Sequence, residues 1–80
     1  FCHDRPWLDF NLLQSGHDVW RLSYETIAAN YALTPIKPTA DGEPCYENHP
    51  IRHDFANGVF KDYHLRMRAY WSLFSGAFGF

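Results

Sequence analysis

The sequence has little of several features that would assign it at once. Cysteine occurs only twice, as Cys2 and Cys45, far apart. These two are able to pair, but two cysteines do not make a disulfide framework, so the compartment stays open. There is no basic stripe, and the net charge of −2 is built from mixed signs, which excludes the electrostatic footprint of a nucleic-acid binder. No apolar run reaches the length of a membrane span, and no signal peptide is visible. Internal repeats and low-complexity segments are lacking as well. Nothing in the pattern calls for a cofactor.

What is present is apolar bulk. Eighty residues make at most one small domain, and so short a chain buries a modest share of its surface. Yet 46% of it is hydrophobic and 19% aromatic, a rich core allotment for this length. It opens on Phe1 and closes on the apolar run Ser75-Gly76-Ala77-Phe78-Gly79-Phe80. The expectation is an internal fragment, with residues 1–80 forming part of one larger domain.

Periodicity predicts the order strand, helix, strand, helix. Trp7–Leu13 reads as a buried strand, with Asp9 and Asn11 on one side by the period of two. Gln14-Ser15-Gly16-His17 breaks it. Asp18 is the expected N-cap of a helix running from Val19 to about Leu33, with Trp20, Tyr24, Ile27, Ala28 and Tyr31 on one face. Thr34 precedes Pro35 and is biased away from helix. Ile36–Ala40 is the expected second strand, shortened by Pro38, which has no donor for a ladder. A long polar loop from Asn48 to Gly58 should be functional or mobile. A second helix is expected over about Lys61–Ala77, with the stripe Tyr63, Met67, Tyr70, Trp71, Phe74 and Phe78. His64, Arg66 and Arg68 supply a wet side to its first half. Its second half is apolar nearly all round and calls for cover that these residues do not supply. Strand–helix–strand with brief loops is a βαβ unit, and such units make parallel pairs.

The polar residues collect after each strand: Asn11, Gln14 and His17 after the first, and Asp41, Glu43, Tyr46 and Glu47 after the second. In an α/β barrel the active site lies at the C-terminal strand ends. Gly42 and Pro44 bracket Glu43, one permissive and one rigid. Asp41, Glu43 and Glu47 are close enough to push one another's pKa values apart, which acid/base chemistry exploits. Glycoside hydrolysis needs a pair of carboxylates across the scissile bond. The plainer reading is an acidic, solvated turn. Tyr46 and Trp7 are candidates to stack on a sugar ring, against ordinary packing. Cys45, His49 and His53 have the four-residue spacing of a metal face on a helix, but Pro50 interrupts them and the segment reads as loop, so no metal site is assigned. His49 or His53 as a substrate hydrogen-bond partner fits better.

These residues resemble the apiosidase-like family of glycoside hydrolases, (β/α)8 barrels often followed by a domain named for collagen binding. The resemblance runs through Asp9-Phe10-Asn11, Gln14-Ser15-Gly16-His17, Tyr31-Ala32-Leu33-Thr34-Pro35 and Lys37-Pro38. It continues through Asp41-Gly42-Glu43-Pro44 with Tyr46-Glu47, then Ala69-Tyr70-Trp71-Ser72 and Gly76-Ala77-Phe78-Gly79. It implies an α/β fold class, with this chain a β-α-β-α fragment of a TIM barrel spanning strands 6 and 7 and their helices, the last helix leading toward strand 8. It also implies a retaining glycosidase in the full-length parent. Glu43 matches the nucleophile at the end of the seventh strand, with Glu47 its rival, and the acid/base lies on a fourth strand outside this chain. Asn11, Gln14, His17, Asp41, Tyr46, Glu47 and His49 would bind the sugar or orient Glu43. The partners implied are a carbohydrate, from polysaccharide side chains, and the remainder of the barrel, with no nucleic acid and no membrane. The 80 residues alone would be inactive, and the family suggests a secreted or periplasmic setting. The rival readings are a carbohydrate-binding or pseudoenzyme module, and a small metal domain through Cys45, His49 and His53.

Overall fold

Pro38 decides where the sheet can start. The computed structural model describes residues 2–80, so Phe1, at the head of the expected ragged entry, lies outside the described residues. Strand β1 (Asn11–Leu13) pairs in parallel with β2 (Thr39–Asp41) in the register Asn11–Thr39, Leu12–Ala40, Leu13–Asp41. The Asn11 N–H donates to the Pro38 carbonyl at 2.8 Å, but Pro38 has no N–H to continue the ladder backwards. Both strands are therefore shorter than the apolar runs predict. Trp7 and Ile36 stay exposed instead of entering the sheet. The segment before β1 folds into turns, pinned by Lys37 Nζ, which donates to the carbonyls of Arg5 and Leu8 at 2.6 Å each. The shift also moves Asp41 from the loop into the last position of β2.

Helix α1 (Ser23–Tyr31) connects the two strands and packs against β2 and against α2 (Asp62–Phe74). The order expected from periodicity is the order found. The start of α1 is not. Asp18 caps a separate turn, accepting from the Trp20 N–H at 3.1 Å, and the helix begins only at Ser23, without a side-chain cap. Trp20 consequently leaves the helical face and is 78% exposed, while Ile27 is fully buried. At the other end, α2 stops at Phe74 instead of reaching Ala77. Its N-terminus is closed by His64 Nδ1, which accepts from the Lys61 N–H at 2.9 Å.

The faces of the sheet follow from the register. The Ser72 hydroxyl of α2 reaches the Asp41 carboxylate at 3.2 Å, so the Thr39–Asp41 row, with Asn11 and Leu13 beside it, faces the helices. Leu12, Ala40 and Gly42 turn the other way. Leu12 is 65% exposed there. Beyond α2, Gly79 makes a parallel bridge to Ala40, with Phe78 N–H donating to Thr39 and Asp41 N–H donating to Gly79. A third parallel strand thus starts beside β2.

The helix-side core is small and partly polar. Ile27, Cys45, Phe60 and Ala77 are buried beside Ser23, Thr39, Asp41, Arg68 and Ser72. The expected roles of the α2 faces are therefore exchanged in part, although Arg66 stays exposed and Trp71 packs edge-on against Tyr24. Arg68, expected on a wet side, points inward, and Tyr63, Tyr70, Phe74 and Phe78 of the aromatic stripe remain exposed, Phe74 by 85%. The reason is local: Ser72 and Arg68 find polar partners under the helix, and small side chains permit the close approach to α1, where the Ser72 and Ser23 hydroxyls lie 3.4 Å apart.

Two glycines are held for different reasons. Gly76 has φ +107°, and a Cβ there would lie 2.7 Å from the Tyr31 ring. Gly42 has ordinary backbone angles; a Cβ there would meet only the side chain of exposed Leu12, at 2.4 Å. Gly76→Ala is expected to cost about 1–3 kcal/mol, from strained backbone and a ring that must move. Gly42→Ala should cost less than about 1 kcal/mol, because Leu12 can swing aside. Urea denaturation of the two variants checks the order.

Candidate active site

The turn after β1 and the loop after β2 are stitched together. Gly42 N–H donates to the Leu13 carbonyl at 2.9 Å, and Gly16 N–H donates to the Glu43 carbonyl at 3.1 Å. Ser15 N–H donates to Asp41 Oδ1 at 3.2 Å. Gly16 takes φ +71° in this turn, a conformation glycine adopts without a Cβ penalty. The result sets His17 beside Glu43.

Tyr46 joins them. Its hydroxyl is held above its ordinary pKa by desolvation first, then by the Glu43 charge and a hydrogen bond with Glu43. The phenol thus lies close to the carboxylate. The His17 ring lies 4.8 Å from the Tyr46 ring, stacks on His49 at 4.2 Å with 24° between planes, and meets His53 edge-on at 5.1 Å. His49 and His53 are themselves 5.0 Å apart. His17 Nδ1 is buried without a hydrogen-bond partner.

The loop carrying His49 and His53 is ordered by its own bonds. Asn48 N–H and the Phe60 carbonyl pair at 2.8 Å, Phe60 N–H and the His49 carbonyl at 3.0 Å, and Pro50 bridges Val59. Two short 3-10 turns, Ile51–His53 and Phe55–Asn57, fill the tip. Arg52 and His53 both have positive φ, +54° and +62°, which is uncommon for residues with side chains and marks stored strain. The strained pair is held by Arg52 N–H donating to the His17 carbonyl at 2.8 Å, and by Arg52 Nε on Asp18 Oδ2 at 2.8 Å. Between these groups lies an open cleft of about 480 Å³, lined by His17, Asp18, Arg21, Arg52 and His53.

The structure therefore gathers Glu43, Tyr46, His17 and His49 of the expected residues. Gln14 and Glu47 flank them, exposed and without side-chain hydrogen bonds among the described residues. Asn11 and Asp41 belong elsewhere. The Asn11 amide bonds His3 Nδ1 at 3.0 Å on the helix-facing side of β1, and both Asp41 oxygens are taken by Ser15 and Ser72. Register is the cause: both residues sit in strand rows that face the helices. The spacing of Cys45, His49 and His53 does not become a ligand set. Cys45 is buried under the loop, where desolvation raises its thiol pKa, and among the described residues no three His, Cys, Asp or Glu side chains are placed to hold a metal. Both cysteines are free. Trp7 is exposed and outside the strand, and it does not line the cleft. His53 earns a place through its contact with His17. Neither Arg52 nor Arg68 is marked as a site residue by the sequence, where Arg68 reads as part of a wet side.

A short parallel sheet, helices on one face, and titratable groups at the C-terminal strand ends define a unit of an α/β barrel enzyme. Solved structures share it. A glycoside hydrolase family 5 protein from Bacteroides vulgatus superposes with a TM-score of 0.88 and 38% identity, over 96% of this chain and 20% of that one. A second structure, described as a glycoside hydrolase, gives a TM-score of 0.86 and 39% identity over 94% of this chain and 21% of that one. The chain thus spans about a fifth of the length of these relatives. No curated protein matches it. The profile of the apiosidase-like catalytic domain matches residues 1–80, and the chain belongs to that family of glycoside hydrolases.

The histidine cluster makes stability depend on pH. Desolvation first, then the charges of His49 and His53, hold the His17 imidazole below its ordinary value; Glu43 opposes them, and Arg68 adds a smaller push in the same direction. A depressed value means that the unfolded chain binds the proton more readily. The contribution of neutral His17 is complete above the unfolded value near 6.5 and is lost as pH falls through the folded value. Urea midpoints should therefore decline below about pH 6.5. His17→Phe should flatten that decline.

Proposed function

We propose that this chain carries the nucleophile half of a retaining glycosidase active site, with Glu43 as the attacking carboxylate. The observation that supports this most is the placing of Glu43: it follows β2, its carbonyl accepts from the Gly16 N–H, and the Tyr46 hydroxyl feels its charge. Neighbouring Tyr46 and His17 would orient the carboxylate toward an anomeric carbon. In the first step the carboxylate attacks that carbon while an acid protonates the leaving oxygen; in the second, water releases the sugar. The acid/base would come from another strand of the full barrel, as the resemblance implies. On this reading the substrate is a carbohydrate bearing an O-glycosidic bond, and His49, Gln14 and Glu47 would meet its hydroxyls. Residues 1–80 by themselves would not turn substrate over.

In the full-length enzyme, Glu43→Gln keeps the shape and the Tyr46 contact but removes the nucleophilic charge. Turnover of an aryl glycoside should fall on the order of a thousandfold or more, with thermal stability and sugar binding retained. Turnover at the wild-type rate would transfer the role away from Glu43. Glu47→Gln, by contrast, should leave most activity in place.

A further inference from the structure

We propose that Arg68 is a positioning residue, and that the buried chain Arg68–Ser15–Asp41 sets the His17 turn in register with Glu43. The proposal rests on the reading of Glu43 as nucleophile and deepens it. Arg68 is 1% exposed, and none of the three ion pairs among the described residues includes it. Buried charges are ordinarily paired. Here the guanidinium instead spends its donors on one turn of backbone. Nη1 donates to the Ser15 carbonyl at 3.3 Å and to the Ser15 hydroxyl at 3.2 Å, and Nη2 donates to the Asp18 carbonyl. The Phe60 ring lies under it, 5.8 Å from Cζ.

The two carbonyls that the fork spans are the two ends of the turn carrying Gly16 and His17. The same turn is fixed from below, because Ser15 N–H donates to Asp41 Oδ1 and Ser72 holds the other Asp41 oxygen. From its middle, Gly16 N–H donates to the Glu43 carbonyl at 3.1 Å. Helix α2 is thereby linked through Arg68 to Ser15, through Ser15 to Asp41, and through the adjoining Gly16 to the Glu43 backbone. A planar fork with several fixed donors can hold two carbonyls at once; a lysine ammonium on a flexible stem is a single point and holds that geometry poorly. The turn is also the surface that Arg52 N–H and the His49 ring lean on, so its placement sets the strained loop as well. Arg68 touches neither Glu43 nor the cleft, and its effect passes through the turn.

The test is made in the full-length enzyme with an aryl glycoside that the wild type turns over, and with NMR titration of the His17 ring. Arg68→Lys is expected to lower kcat by about ten- to a hundredfold, the cost of a misplaced reacting group, with KM within about twofold. Arg68→Met removes the charge as well. The groups facing His17 are His49, Arg52 and His53 from the loop, Asp18 and Arg21 from the segment before α1, Tyr46 and Glu43 from the segment after β2, and Arg68 from α2. Loss of the Arg68 charge leaves Glu43 less opposed, so the His17 midpoint should move upward. A folded Arg68→Lys enzyme with wild-type kcat, or an Arg68→Met enzyme with an unmoved His17 midpoint, overturns the proposal. If the Arg68 variants do not fold, Ser15→Ala decides it. That change removes only the hydroxyl acceptor and should lower kcat severalfold, and wild-type kcat there overturns the proposal too. Glu43→Gln run alongside separates the two claims: activity surviving in that variant sinks the nucleophile assignment, whatever Arg68 does.

Discussion

The Asp41 carboxylate is the tie on which the rest depends. It ends β2, is 1% exposed, and accepts one hydrogen bond from the turn after β1 and one from α2. A carboxylate buried this deeply survives only if its oxygens are satisfied. Both of its donors come from other elements, so the requirement brings three pieces of chain to one point. Remove the carboxylate and the buried Ser15 N–H is left without its acceptor, a cost of about 1–3 kcal/mol, while the Ser72 hydroxyl keeps only the longer contact to Ser23. The helix layer and the strand-end turn are thus joined by polar bonds where a larger core would use apolar area.

That joint explains how so small a core places a site. Ile27, Phe60 and Cys45 are the main fully buried apolar side chains. They cannot by themselves fix the turn and loop that carry His17, Tyr46 and His49. The polar chain from Ser72 through Asp41 and Ser15 to Arg68 supplies direction, because hydrogen bonds have geometry and apolar contacts mostly do not. The positive φ at Arg52 and His53 is sustained by the same turn. Backbone strain persists only where the surroundings over-determine it, and here the surroundings are the His17 carbonyl and Asp18.

The aromatic surface of α2 follows from the same economy. Tyr63, Tyr70 and Phe74 stand exposed because the inward face of the helix is given to Arg68 and Ser72. In the solved relatives the matching stretch is about a fifth of a longer chain. An exposed apolar face fits a unit whose neighbours in a barrel lie against it.

Much of this was legible in the sequence, and the gaps have physical causes. The strand–helix–strand–helix order followed from periodicity, the grouping of Glu43, Tyr46 and His17 followed from their place after the strands, and His49 was legible as a polar residue of the long loop. The boundaries did not, because Pro38 delays the ladder and Asp18 caps a turn ahead of the helix it was expected to start. Asn11 and Asp41 read as strand-end polar groups, but both lie within the short strands, in rows that alternation turns toward the helices. Arg68 was hidden by its own chemistry, as charge ordinarily signals a wet face and its partners are backbone carbonyls that no sequence pattern displays. The most direct test of the account is covalent trapping of the full-length enzyme with an activated 2-deoxy-2-fluoro glycoside, followed by mass mapping of the labelled peptide. The label is expected on Glu43; a label on Glu47 or on any other carboxylate would contradict the account.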